Sequence, residues 1–339
     1  MAQPSPALSR RRLLALGATG GAALLAGCRP GRGPGLWTVR GELPPAWAQA
    51  LPGPWQLRQW ETAAALLAGL QAGAAGAPGL VALADGWATT GPQDRWRPLQ
   101  AAGLEAALAR LGPLAAAPSR LYAAPDQPVR AYPWAYSPWV IALRSRPDLA
   151  DQAGRGWDLL LDPSLRGRLV LPSSARICIE LMGGDFDRVQ QLRRQALAHD
   201  DRHGLNLLLA GEADGAVLPL RPLVPLLRRD PRLQLIWPAS GAPLSWQLLL
   251  QPAVGPAPAA WPIAWLDALL EPPLLQSLLA AGWVPPLPQA RLQPLVARFP
   301  AGLRRLLAPE PGLLERCWSL APLAPRQRLA LQSLWDAAG

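Results

Sequence analysis

Trp157-Asp158-Leu159-Leu160-Leu161-Asp162-Pro163-Ser164-Leu165-Arg166-Gly167-Arg168-Leu169-Val170-Leu171-Pro172 reads as a short helix, a stop and a buried strand. The apolar positions after Trp157 suit a turn or two of helix against a core. Asp162-Pro163 ends it, because proline lacks the N–H that the helix ladder needs and disfavours helical geometry in the residue before it. Leu169 to Leu171 is a short uninterrupted apolar run, the pattern of a strand covered on both faces. Ser173 and Ser174 follow at the start of the next helical pattern, where serine is suited to N-capping. A strand feeding a helix in this way is the repeating unit of an α/β sheet.

The same alternation continues on either side of this run. Trp55 to Trp60 alternates like a strand, and Glu61-Thr62 opens an Ala/Leu-rich helix from Ala63 to Gln71, with an acid near its positive end. Gly79 to Ala84 reads as a buried strand ending at Asp85-Gly86. Both strands stop at polar residues beside a helix start, where the strands of open α/β sheets face a ligand crevice. Pro133 to Leu143 carries the apolar run Trp139-Val140-Ile141-Ala142-Leu143. Helices are expected over 187–198 and 204–210, strands over 213–218 and 233–237, and a further extended stretch over 247–250. Pro/Ala-rich turns and short Leu-rich helices complete the chain. This order predicts two lobes, with the chain crossing between them twice.

The first 28 residues carry a different signal. Arg10-Arg11-Arg12 is a cationic start, Leu13 to Ala26 is uncharged and apolar, and Leu25-Ala26-Gly27-Cys28 closes it with small residues before a cysteine. That order is a lipoprotein export signal, with Cys28 as the lipidated first residue of the mature chain. Ser9 to Leu14 also resembles a twin-arginine signal. A retained membrane helix is disfavoured, since spanning takes about 20 apolar residues and this segment is shorter and diluted by glycine and alanine. Residues 28–35, rich in Arg, Pro and Gly, suit a tether.

Half of the 339 residues are hydrophobic and 17% are charged, which excludes disorder for most of the chain. The net charge of +10 comes with no lysine, with three arginines in the leader and with the remaining arginines scattered. Nucleic-acid binders gather their positive charge into a face or stripe, so no nucleic-acid partner is expected. Cys178 and Cys317 sit in apolar surroundings, as buried free thiols do. His199 and His203 flank Asp200 and Asp201 at a spacing that could hold a metal on a helix, but Gly204 breaks the helix there, and a polar loop is the better reading. There is no Gly-x-Ser-x-Gly and no phosphate-binding loop, and neither enzyme activity nor a cofactor is expected.

The quoted run resembles the segment of extracellular solute-binding proteins in which a Trp-Asp-Leu helix start, a proline, a glycine and an apolar strand follow one another, particularly in the spermidine/putrescine-binding family. Tyr132-Pro133-Trp134 resembles that family's first hinge crossing. Gly211-Glu212-Ala213-Asp214 before an apolar strand resembles its G-E-x-D element, and Gly241-Ala242-Pro243 the loop before the return crossing. The resemblance implies an α/β, type II periplasmic-binding-protein-like fold: two lobes, each with a mixed, mostly parallel sheet, joined by hinge strands. Lobe 1 would comprise 36–131 plus 245–339, and lobe 2 residues 132–244. It also implies a cleft that closes on a solute, as a monomeric partner of an ABC permease and its ATPase outside the cytoplasmic membrane.

Positions in that inferred cleft give the candidate ligand-binding residues Arg40, Glu42, Asp85, Trp134, Tyr136, Ser173, Ser174, Arg176, Arg221, Trp246 and Gln247. Polyamine-binding relatives carry carboxylates after the quoted strand and in a W-x-D further on. Here those places hold Ser173-Ser174-Ala175-Arg176 and Ser245-Trp246-Gln247. A cleft without carboxylates leaves buried ammonium groups unpaired, so a neutral or anionic solute is expected in place of a polyamine. An accessory or scaffold lipoprotein that kept the fold and lost the cleft is the alternative.

Overall fold

The computed structural model describes residues 33–73, 77–201, 203–255 and 260–339; the leader, Cys28 and most of the tether lie outside the described residues. The strands are β1 (Gly35–Val39), β2 (Gln56–Trp60), β3 (Leu80–Ala84), β4 (Ala131–Arg144), β5 (Leu169–Leu171), β6 (Ala196–His199), β7 (Gly215–Pro219), β8 (Leu233–Ile236), β9 (Pro243–Leu250) and β10 (Trp318–Ser319). The helices that position the site are α1 (Ala63–Gln71), α2 (Asp85–Ala88), α3 (Ala175–Leu181), α4 (Phe186–Gln195), α5 (Gly204–Ala210), α6 (Leu220–Leu227), α7 (Leu274–Ala280) and α8 (Pro325–Ala337).

In one lobe the strand order is β2-β1-β3-β9-β4, with β1 parallel to both β2 and β3 and with β9 antiparallel to β3 and β4. In the other, β4 lies antiparallel to β7 and β8, and β5 runs parallel to β7 and β6. The fourteen residues of β4 therefore belong to two sheets. Ala131 to Pro138 pair with β9, and Trp139 to Arg144 pair with β7 and β8. The sequence of β4 marks both events, because proline cannot donate to a ladder. The register with β9 shifts between Pro133 and Ala135, and Pro138 is the last residue paired with β9 before the strand changes sheet.

The quoted run forms a 3-10 segment, Ala153–Leu161, followed after a second short turn by β5. Trp157 Nε1 donates to the Gly241 carbonyl at 3.0 Å, so two of the stretches that suggested the fold touch each other. Gly241 lies at φ +92°, and a Cβ there would fall 2.0 Å from the Arg316 carbonyl oxygen, so a side chain is excluded.

Three expectations change in detail. Helix α4 ends at Gln195, and Ala196 to His199 pair with β5 as a strand, because ladder bonds at the sheet edge outweigh the helical pattern of the segment. Ser174 occupies the N-cap position of α3 without a side-chain capping bond, and the Ser173 hydroxyl is bonded to Asp201. The chain also crosses between lobes a third time: residues after β10 leave lobe 1, and α8 packs on α3. Arg193 lies over the Trp335 ring at 4.3 Å, and Ala338 is buried among residues of the second lobe. The expected placement of all of 245–339 in lobe 1 therefore does not hold for α8.

Tryptophans anchor the first core. Trp47 and Trp265 stack at 3.9 Å and 5°, and each indole N–H donates to the other's carbonyl, at 3.0 and 2.8 Å. Stacking and satisfied indole donors together make the pair specific as well as apolar. Trp134 packs on Trp47 at 4.9 Å and on Trp283 at 4.8 Å, which extends the aromatic column toward the space between the lobes. Trp47→Ala is expected to lower the unfolding free energy by about 3–5 kcal/mol in urea titration, and a loss under about 1 kcal/mol would show that the stack does not anchor this lobe.

Candidate functional site

Between the lobes lies a cavity of about 330 Å³ whose walls come from both. Lobe 1 contributes Glu42, in the turn after the C-terminal end of β1, and Trp283, just beyond α7. Tyr136, Ser137, Ser245 and Gln247 come from the paired strands β4 and β9. Lobe 2 contributes Asp201 after β6, Leu205 of α5, Pro219 at the end of β7 and Arg221 in the first turn of α6. Charged groups therefore arrive from C-terminal strand ends, where the helix-bearing sheet topology leaves a crevice.

Glu42 is the meeting point. Gln247 Nε2 donates to its Oε2 at 2.8 Å, and the Arg221 guanidinium lies 3.6 Å from its Oε1. The same guanidinium donates to the Gly41 carbonyl at 3.4 Å and sits 4.4 Å from the centre of the Trp283 ring. The Arg221 backbone N–H donates to Ser137 Oγ at 3.1 Å, and Trp139 Nε1 donates to Ser245 Oγ at 3.0 Å. Gln247 Oε1 is buried with no hydrogen-bond partner. At the mouth, the Asp201 carboxylate accepts from the Ser173 backbone N–H at 2.9 Å and from the Ser173 hydroxyl.

A second cluster lies beside the cavity. Asp85, at the start of α2, accepts from the Trp246 backbone N–H at 3.1 Å and from the Tyr122 hydroxyl. Burial pushes its carboxyl up to about 6, against the lowering effect of these donors. Burial and the neighbouring Asp85 push the Tyr122 phenol upward as well. Leu121 and Tyr122 both lie at positive φ, 52° and 65°, a costly backbone region for side-chain-bearing residues. Trp246 Nε1 donates to Ser319 Oγ at 2.9 Å, Arg176 donates to Glu180 and to the Ala321 carbonyl, and Trp318 Nε1 donates to Glu180. The chain's own residues 318–321 thus fill the polar valences of this cluster.

The structure brings four of the expected residues, Glu42, Tyr136, Arg221 and Gln247, to the cavity lining, and sets Ser173 against Asp201. Asp85, Arg176 and Trp246 belong to the second cluster. Trp134 is fully buried in the aromatic column, Arg40 pairs with Glu61 at 2.6 Å on the surface, and Ser174 stands at the N-cap position of α3 without a side-chain capping bond. Glu42 was among the expected residues; Asp201 was not, and it brings an acid to the Ser173 turn, where the local sequence carries none. β6 lies beside β5, so its following loop supplies an acid to the Ser173 turn from another part of the chain. Asp201 was readable only as one residue of a polar loop. Trp283 had one local signal, the preceding Gly282 at φ +83°, where a Cβ would lie 2.3 Å from the Arg221 carbonyl oxygen.

No protein-family model matches this sequence, and no curated protein matches it. Among solved structures, the spermidine/putrescine ABC transporter substrate-binding protein PotD from Streptococcus pneumoniae is similar at TM-score 0.72 and 14% identity, covering 90% of this chain and 98% of that one. The fold is that of a type II periplasmic binding protein. The Tp0655 (TpPotD) lipoprotein of Treponema pallidum is similar at TM-score 0.60 and 13% identity, over 90% of this chain and 98% of that one. The ferric binding protein from Campylobacter jejuni is similar at TM-score 0.60 and 14% identity, over 90% and 99%. In this two-lobed fold, the cavity described above has walls from both lobes. No three His, Cys, Asp or Glu side chains among the described residues form a metal-ligand group, and none of the described helices is long and apolar enough to cross a membrane.

Asp85 makes the fold pH-sensitive in a defined direction. Its folded pKa, about 6, exceeds the ordinary 3.8, so the folded state holds the proton more tightly. Its cost to stability is absent below about pH 4 and fully present above about pH 6. Asp85→Asn should therefore gain about 2–3 kcal/mol relative to the parent protein between pH 4 and pH 7. Paired denaturation curves across that range measure it, and a difference that stays flat with pH would refute it.

Proposed function

We propose that this chain is an exported substrate-binding component of an ABC importer, lipidated at Cys28, that captures a small organic solute between its lobes. It would act as a monomer, deliver the solute to a permease and its ATPase, and carry out no chemistry on it. The observation that carries this reading is the cavity of about 330 Å³, with Glu42 on one lobe and Asp201 and Arg221 on the other. A solute bound there touches both lobes at once, so its binding energy favours the arrangement in which they meet. The volume lies within the usual range for small-molecule sites, about 300–1,000 Å³. The similarity to the transport proteins named above supports the role, and the leader and cysteine at 25–28 support the anchor.

Ligand residues in this reading are Glu42, Tyr136, Ser173, Asp201, Arg221, Gln247 and Trp283. A second reading is an accessory lipoprotein with a degenerate cleft. It is favoured by one observation, the closure of the Asp85, Trp246 and Arg176 cluster by residues 318–321.

A panel of polyamines, amino acids and carboxylates, read by thermal shift and by intrinsic tryptophan fluorescence, separates the two. A true ligand at 100 times its Kd adds about 2.7 kcal/mol of stability, and Glu42→Gln and Asp201→Asn should each remove that gain. Absence of a shift with every compound would favour the accessory reading. For the anchor, the full chain expressed in bacteria should incorporate labelled fatty acid into the membrane fraction, and Cys28→Ser should abolish incorporation. Equal labelling of the two would exclude Cys28 as the lipid site.

A further inference from the structure

The cavity holds a cation of its own. The Arg221 guanidinium lies over Trp283 at 4.4 Å and 3.6 Å from Glu42, and it reaches the Gly41 carbonyl at 3.4 Å. An aromatic face, a carboxylate and a carbonyl are the three things an organic ammonium would seek in a site. Here the protein supplies the positive charge to that position. The placement is enforced by the backbone, since Gly282 allows the chain before Trp283 to pass against the Arg221 carbonyl where a Cβ would be 2.3 Å away.

The rest of the lining contains one further charged group, Asp201. Ser173 occupies two of its acceptor positions, one on each oxygen. A carboxylate has about four lone-pair sites, so the ones that remain can accept an ammonium. With Glu42 and Asp201 negative and Arg221 positive, the lining carries one net negative charge. A ligand with a single positive charge neutralises it. A second ammonium would meet the guanidinium in partly desolvated space, where like charges are strongly unfavourable.

Between the two charged ends the exposed chemistry is neutral. The Ser137 and Ser245 hydroxyls each accept one bond and keep a hydrogen to donate. Leu205, Leu218 and Pro219 form an apolar side. These groups suit a hydroxyl or amide on a short carbon chain.

We propose that the cavity takes an organic monocation with a neutral polar arm, and that Arg221 is the specificity-determining residue that excludes dications. The proposal rests on the solute-binding reading given above. The test is binding of 4-amino-1-butanol, 1,4-diaminobutane, 4-aminobutanoate and 1,4-butanediol to the whole mature chain, by calorimetry or Trp fluorescence. These four probes share a carbon chain and differ in charge. The amino alcohol should bind at least about tenfold more tightly than the diamine, the zwitterion or the diol. Arg221→Gln should shift the amino alcohol to diamine ratio by at least about tenfold toward the diamine, while Arg221→Lys, which keeps the charge, should leave the amino alcohol preferred. Preference of the parent protein for any other probe, or an unchanged ratio in Arg221→Gln, overturns the proposal and leaves the transport role standing if some compound of the wider panel still binds. No binding by any compound of either set overturns both.

Discussion

One strand has to satisfy two sheets. The first half of β4 spends its backbone hydrogen bonds on β9, the second half on β7 and β8, and proline stands at the bulge and at the change of partner. Buried backbone groups must be paired, so the strand cannot leave one sheet before it is received by the other. The lobes are therefore joined through one continuous strand that pairs in both sheets. The residues at the change of sheet, Tyr136 and Ser137, are also the cavity floor. A bend at this point moves the cavity-lining groups of one lobe against those of the other.

The two polar clusters at this junction differ in who completes them. Asp85 is buried and has its donors from Tyr122 and the Trp246 backbone, while Arg176, Glu180 and Trp246 are bonded to residues 318–321 of the same chain. That cluster has a structural part to play: it ties α2, β9, α3 and the third crossing together. The cavity next to it retains a buried unpartnered acceptor and hydroxyls with hydrogens to donate. Unsatisfied buried polar atoms are costly in a structural core and are expected where a ligand or water completes the set. Gln247 Oε1 shares this condition with buried atoms elsewhere, such as Tyr132 Oη and Trp134 Nε1, so the two clusters differ in the hydroxyls and charges left at the cavity.

Much of the fold was legible because its signals are local. The helix over 63–71 and the strand at 169–171 follow from apolar runs bounded by Thr62, Asp162-Pro163 and Pro172, and the structure forms both. The boundary at 195–199 was not legible, since nothing in Ala196 to His199 announces that β5 will be its neighbour. The third crossing was hidden for the same reason: α8 looks like any amphipathic helix, and its partner α3 lies about 150 residues earlier. In the site, Glu42, Tyr136, Arg221 and Gln247 could be found because each sits at a strand end or on a hinge strand. Asp201 and Trp283 reach the cavity through contacts between segments far apart in sequence, and their immediate neighbours carry no mark of it beyond Gly282.

The ion pair that spans the cleft cannot by itself hold the lobes together. Arg221 and Glu42 are each close to one-third exposed along the side chain, at 31% and 30%, and pairs in that environment contribute about 0–1 kcal/mol. Moving a two-state equilibrium from mostly open to mostly closed takes about 5.5 kcal/mol of differential binding. In the proposed solute-binding reading, the larger share comes from covering Asp201 and from burying the apolar side of the cavity against a solute. The bridge orients Arg221 over Trp283 and contributes little to holding the lobes together.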